Sequence, residues 1–91
     1  MAHDGLGGLL DDLHTGRPRV EIVGNNRVVV ENHHGIQEYE SGLLRIKCSG
    51  CEVRIVGDGL ALTALSLDEL AVTGIIASVE YTTAVDRKSV V

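Results

Sequence analysis

The stretch Leu43–Val56, LLRIKCSGCEVRIV, decides the fold of this chain. Apolar residues alternate with charged ones on both sides of Ser49-Gly50, and the alternation matches across these two residues. Successive side chains in a β-strand point to opposite faces, so each half has one apolar and one charged face. A two-residue connection between such strands is typical of a β-hairpin. The stretch therefore predicts two antiparallel strands with Cys48 facing Cys51.

The composition favours the same kind of structure for the rest of the chain. The 91 residues suffice for one domain with a thin core. Apolar residues make up 44% of the chain, but it has no Phe or Trp and two Tyr, so Val, Ile, Leu and Ala must fill the interior. Because β-branched side chains pack well on a pleated surface, this composition favours a sheet.

Short apolar runs separated by Gly, Asn, Asp and Ser recur about every 8 residues, which is typical of a small β domain. We predict an all-β, single-domain antiparallel meander of about eight short strands, in the form of a sandwich, a partly open barrel or a β-roll. Gly57-Asp58-Gly59 is expected to break the chain between two strands, and Ser66 to begin a helical or tight turn. The predicted strands are Arg19–Val23, Arg27–Glu31, Ile36–Tyr39, Leu43–Cys48, Cys51–Val56, Leu60–Leu65, Glu69–Thr73 and Ala77–Tyr81.

The domain is expected to span residues 17–82, between a short N-terminal arm and a polar tail of residues 83–91. In the arm, residues 1–16, Leu6, Leu9, Leu10 and Leu13 have the spacing of one apolar helical face. Three nearby glycines weaken a helix, so we expect a flexible or partly helical arm. If it forms a turn, its expected use is docking on the domain or on a partner.

Charge and hydropathy limit the classes of partner. The formal charge is −5, and Lys and Arg are scattered except at Arg87-Lys88, whereas phosphate backbones require clustered cations. We therefore expect no nucleic-acid partner. The N-terminus does not resemble a signal peptide, and no apolar run approaches the roughly 20 residues of a membrane span. These features predict a cytoplasmic protein without direct membrane insertion.

Cys48 and Cys51 have Cys-x-x-Cys spacing. A zinc site normally needs four ligands, and a redox pair of this spacing usually lies at a helix N-terminus. We therefore interpret the two residues as small apolar side chains that face each other across the turn. The alternative is that the protein is a small metal- or redox-linked β module that uses Cys48 and Cys51, through a labile disulfide or a metal site shared between subunits.

Asn32-His33-His34-Gly35 is predicted to form a loop between strands. Adjacent side chains of an extended chain point to opposite sides, so the two imidazoles are poorly placed to hold one metal ion. We expect one imidazole to pack and hydrogen-bond and the other to be solvated.

No nucleophile elbow or phosphate-binding loop is present. The sequence therefore indicates a protein that is not an enzyme and that needs no cofactor.

Several short elements between Pro18 and Tyr81 occur in an order shared with one family. The most specific element is Glu31-Asn32-His33-His34-Gly35-Ile36. The other elements are Pro18–Gly24, Leu44–Ile46, Val53–Gly57, Leu60, Leu65, Glu69-Leu70, Gly74-Ile75 and Val79–Tyr81. With these elements, this part of the chain resembles the YabP/YqfC family of sporulation proteins, closest to its YqfC branch.

The resemblance implies a protein made in the mother cell and needed for late endospore maturation, such as cortex development. It implies no catalytic residue and no cofactor. In the YqfC branch the neighbouring gene typically encodes a membrane protein, which suggests a protein partner and a peripheral position at the forespore membrane. We predict partner binding through Asn32, His33, His34, Gly35 and Ile36, or self-association through a sheet edge. Two features depart from the family pattern: the Cys48/Cys51 pair, and His34, where the family often has Lys or Arg.

Overall fold

Six antiparallel strands make up the domain in the computed structural model, which describes residues 17–83. The predicted arm, residues 1–16, and all of the predicted tail except Thr83 lie outside the described residues. The strands are β1 (Arg19–Val23), β2 (Arg27–Glu31), β3 (His33–Glu40), β4 (Leu43–Cys48), β5 (Cys51–Leu65) and β6 (Glu69–Thr82).

All six strands belong to one sheet with the order β1-β2-β6-β5-β4-β3. Each neighbouring pair is antiparallel, and the β4–β5 hairpin has the predicted register, with Cys48 opposite Cys51 and Ile46 opposite Val53. The all-β prediction is confirmed, and within residues 17–83 no helix occurs. The expected number of strands, about eight, is wrong, because β5 and β6 each combine two predicted strands.

Glycines bend β5 and β6 where the sequence had suggested breaks between strands. The register of the β5–β6 pair shifts between Val56 and Gly57 and again between Asp58 and Ala61. Such β-bulges kink a strand without ending it. A Cβ atom on Gly57 would overlap the carbonyl oxygen of Ile75, so the two backbones approach more closely here than any other residue type would permit.

The two hairpin turns satisfy the backbone groups that these bulges leave without partners. The N–H groups of Gly57 and Leu60 donate to the carbonyl oxygens of Gly42 and Ser41 in the β3–β4 turn. On β6, the N–H groups of Gly74 and Ile76 donate to the carbonyl oxygens of Asn26 and Asn25 in the β1–β2 turn. Because buried backbone groups need partners, these contacts fix the bends.

The bends fold the sheet over itself. A straight strand of the length of β5 would measure roughly 50 Å. However, the β3 residue His33 pairs with Cys48, beside the start of β5, and also hydrogen-bonds Ser66, just beyond its end. The strand must therefore double back. The fold is thus one open antiparallel sheet of six strands that bends back on itself.

One core lies between the two halves of the folded sheet. In a single flat sheet the side chains of each face would contact solvent. Those of Val28, Val30, Leu44 and Ile55 are fully buried because the other half of the folded sheet covers them. The core cluster combines residues of β2, β4, β5 and β6.

The connection between β5 and β6 is a tight turn, so the helical alternative predicted at Ser66 is wrong. Ser66 N–H donates to the Glu69 carbonyl oxygen, and the Glu69 N–H donates to Ser66 Oγ at 3.2 Å. The serine thus makes the contact of a helix cap, but Leu65 and Leu70 are already paired across the two strands. Strand pairing therefore closes this segment as a hairpin.

Candidate functional site

The predicted partner-binding segment begins where the chain passes from one half of the sheet to the other. Asn32, between β2 and β3, has a left-handed φ of 66°, which Asn tolerates better than most residues. Its N–H and that of His33 donate to the carbonyl oxygen of Asp68 in the β5–β6 turn. These contacts place the segment against that turn. The prediction of a loop is wrong for His33, His34 and Gly35, because pairing with β4 already begins at His33.

The two histidines have different environments. His33 is buried, and the Gly35 N–H donates to its Nδ1 at 3.0 Å. Because Nδ1 accepts, the ring proton lies on Nε2, which donates to the Ser66 carbonyl oxygen at 3.1 Å. His34 is exposed. One imidazole is thus buried and hydrogen-bonded and the other lies at the surface, as predicted from their adjacent positions on an extended chain.

An open groove runs between this segment and the β5–β6 turn. We call it the tip groove; it has a volume of about 560 Å³ and is lined by His33–Ile36 and Leu65–Leu67. The Leu67 side chain is 98% exposed and that of Leu65 is 59% exposed. Large apolar side chains that cluster at a concave surface mark a binding site more often than scattered ones do. The tip groove is therefore our candidate site.

Sequence reasoning predicted only one wall of the tip groove. The segment Asn32–Ile36 was predicted to bind a partner, and four of its five residues line the groove. Leu65, Ser66 and Leu67 were missed, because they lie about 30 positions further along the chain. The available signal was Leu67, an apolar residue inside a predicted turn.

Cys48 and Cys51 lie at the turn end of the β4–β5 hairpin, on either side of Ser49-Gly50, and both are free thiols. Cys48 is buried in the core and Cys51 is half-buried. Burial raises the pKa of Cys48 to about 11, with a further contribution from Cys51. Burial also raises the pKa of Cys51. Since the thiolate is the nucleophile and the metal ligand, these environments favour the packing interpretation over the redox or metal alternative.

His33 is next to Cys48 in the β3–β4 register, which places His33, Cys48 and Cys51 in one row across three strands. Both ring nitrogens of His33 already have hydrogen-bond partners. Among the described residues, no group of three or more His, Cys, Asp or Glu side chains is arranged to hold a metal ion. With both ring nitrogens hydrogen-bonded, His33 contributes to the structure of this row.

Charged side chains on the outer face of β3, β4 and β5 form an ion-pair network. Arg45 Nε donates to Glu52 Oε2 at 2.9 Å, and Arg45 Nη1 donates to Glu38 Oε1 at 3.1 Å. The hydrogen bond from Arg45 lowers the pKa of Glu38, and the two carboxylates raise the pKa of Arg45. The guanidinium of Arg45 is thus matched by carboxylates within the sheet.

No element within residues 17–83 is a helix long and apolar enough to cross a membrane.

Comparison with known protein families matches residues 14–88 to the YabP family, which is more than half of the chain. Comparison with curated proteins and with solved structures finds no match. The matched region contains all six strands and both walls of the tip groove. The chain therefore belongs to the YabP family and is a sporulation-related protein.

Proposed function

We propose that this protein is a non-catalytic interaction module that binds a protein partner in the tip groove during late endospore maturation. The observation that carries the proposal is the exposure of Leu67 beside the segment Asn32–Ile36, which is part of the most specific family element, Glu31–Ile36. Burying a leucine side chain contributes about 1.5–3 kcal/mol, so a partner that covers Leu67 gains affinity there.

The chemistry of the charged and titratable groups supports a binding role over a catalytic one. His33 is held by two backbone groups, Arg45 is matched by Glu38 and Glu52, and burial raises the pKa of the Cys48 thiol further above neutral pH. A general base or nucleophile must be reachable and must have a pKa near the working pH. These groups contribute to the structure instead.

The cellular part of the proposal rests on the resemblance to the YqfC branch. We place the protein in the cytoplasm of the mother cell, in a role connected with the cortex. The proposed partner is a sporulation membrane protein encoded by the neighbouring gene, which would hold the module at the forespore membrane.

Self-association through a sheet edge is a related proposal. β1 and β3 lie at the two ends of the sheet. Ile22 and Val23 on β1 are about half exposed. An edge strand offers backbone donors and acceptors to another chain, and apolar side chains beside it favour pairing.

Capture of the neighbouring membrane protein tests the groove directly. Purified wild-type protein and its Leu67→Ser variant are compared as baits for that partner. We expect Leu67→Ser to weaken capture about tenfold, since that factor corresponds to about 1.4 kcal/mol. Ile75→Ser is the matched control, because Ile75 is 62% exposed and lies outside the groove. Equal capture by wild type and Leu67→Ser would refute the groove as the binding site.

A further inference from the structure

We infer that the leucine-rich segment Leu6–Leu13 of the same chain docks in the tip groove and competes there with the partner. The inference rests on the proposed function for the competition, whereas the docking itself is independent of any partner. Three observations support it: where the described chain begins, how far the segment can reach, and how its apolar residues match the groove.

The described chain begins at the rim of the groove. Asn32 Nδ2 donates to the carbonyl oxygen of Arg17 at 3.1 Å, and Asn32 immediately precedes the groove residue His33. Arg19 is paired with Glu31, which fixes the direction of the chain two residues later. Residues 1–16 therefore continue from a point beside the tip groove.

The leucines are close enough to reach it. Leu13 is four positions before Arg17. Four extended residues span at most about 14 Å, and a chain can also turn back within that length.

The segment and the groove are complementary in chemistry. The groove exposes Leu65 and Leu67, the latter almost completely, beside the half-buried Ile36. The segment contains four leucines with the i, i+3, i+4, i+7 spacing that gives a helix one apolar face. Amphipathic segments of this kind bind in apolar grooves through such anchors.

These leucines also precede the region that matches the family, which begins at residue 14. The family match thus covers the domain that carries the groove and leaves the leucine-rich segment outside it. When the segment occupies the groove in part of the molecules, only the molecules with an open groove can bind a partner. The apparent affinity for the partner is then reduced in proportion to the open fraction.

Methyl NOE spectroscopy on the full-length protein tests the docking. We expect cross-peaks from the methyl groups of Leu9, Leu10 or Leu13 to those of Leu65 and Leu67. The cross-peaks to Leu65 should be lost in Leu67→Ser, which removes the neighbouring apolar side chain of the groove, but not in Ile75→Ser. Absence of these cross-peaks in the wild type would overturn the inference. A second sample mixes two differently labelled preparations, so that it reports only contacts between molecules. Cross-peaks in that sample would show that a second copy supplies the segment, which also overturns docking within one chain.

The capture assay separates this inference from the proposed function. The full-length variant Leu9→Ser/Leu10→Ser/Leu13→Ser should capture the membrane partner severalfold better than the wild type, because its groove is open. If capture depends on Leu67 but is unchanged in this triple variant, the inferred competition is refuted and the proposed function stands. If cross-peaks to Leu67 are present but the Leu67→Ser variant captures the partner as well as the wild type does, the proposed partner site is refuted.

Discussion

The His33 imidazole joins two backbone groups that lie far apart in sequence. It accepts a hydrogen bond from Gly35 and donates one to Ser66, 33 positions away. Ser66 and its neighbours form the opposite wall of the tip groove. At the scale of single residues, His33 therefore sets the distance between the two walls, and the exposed Leu67 makes the groove apolar.

Replacing His33 with leucine should destabilise the domain. Leucine fills the space of the imidazole, but it leaves the Gly35 N–H and the Ser66 carbonyl oxygen without their partner. The free energy of unfolding should fall by about 3 kcal/mol in total. Urea unfolding measures this loss. The control is His34→Leu, at an exposed position, which should change the free energy of unfolding by less than about 0.5 kcal/mol. Equal losses in the two variants would contradict the role given to His33.

The Cys48 thiol should make stability fall at alkaline pH. Its pKa is about 11 in the folded chain, against an ordinary value of 9.0. Below pH 9 the thiol is protonated in both states, and its contribution is fully present. Between about pH 9 and 11 the unfolded chain releases the proton first, so the free energy of unfolding decreases.

Comparison with Cys48→Ala isolates that effect from the titration of other groups. Urea unfolding at a series of pH values should show a steeper fall for the wild type than for the variant between about pH 9 and 11. Parallel curves over this range would show that the thiol is not held protonated by burial.

At the scale of elements, alternation predicted the strands well where they are short. The bounds of Arg19–Val23, Arg27–Glu31 and Leu43–Cys48 are those of β1, β2 and β4. The prediction was wrong around Gly57-Asp58-Gly59. A glycine-rich stretch permits a turn as well as a bulge, and pairing with a distant strand decides between them. That pairing cannot be read from local sequence.

Gly57→Ala tests whether the bend depends on close approach of the two backbones. The added methyl group would overlap the Ile75 carbonyl oxygen, so β5 and β6 must separate at the bend. We expect a loss of about 3 kcal/mol or more, at the upper end of overpacking effects. The comparison is Gly42→Ala, whose Cβ would lie 3.4 Å from the Gly57 carbonyl oxygen, an ordinary contact. Similar unfolding midpoints for both variants would mean that the bend tolerates a side chain.

At the scale of the whole molecule, the sequence was enough for the fold class and for one wall of the candidate site. It was not enough for the folding of the sheet over itself, which brings Leu67 to the segment Asn32–Ile36. These residues meet because the bulges of β5 and β6, two hairpin turns and His33 act together. The family match covers this entire arrangement, which is why we connect the groove with the role in sporulation.

The central claim is that a sporulation-related domain acts through the tip groove. The most direct test is to replace the chromosomal gene with the Leu67→Ser allele, beside Ile75→Ser and a deletion, and to count heat-resistant spores. Our account predicts that Leu67→Ser lowers the count as far as the deletion does, with the protein at wild-type level, while Ile75→Ser does not. Normal numbers of heat-resistant spores from the Leu67→Ser strain would contradict it.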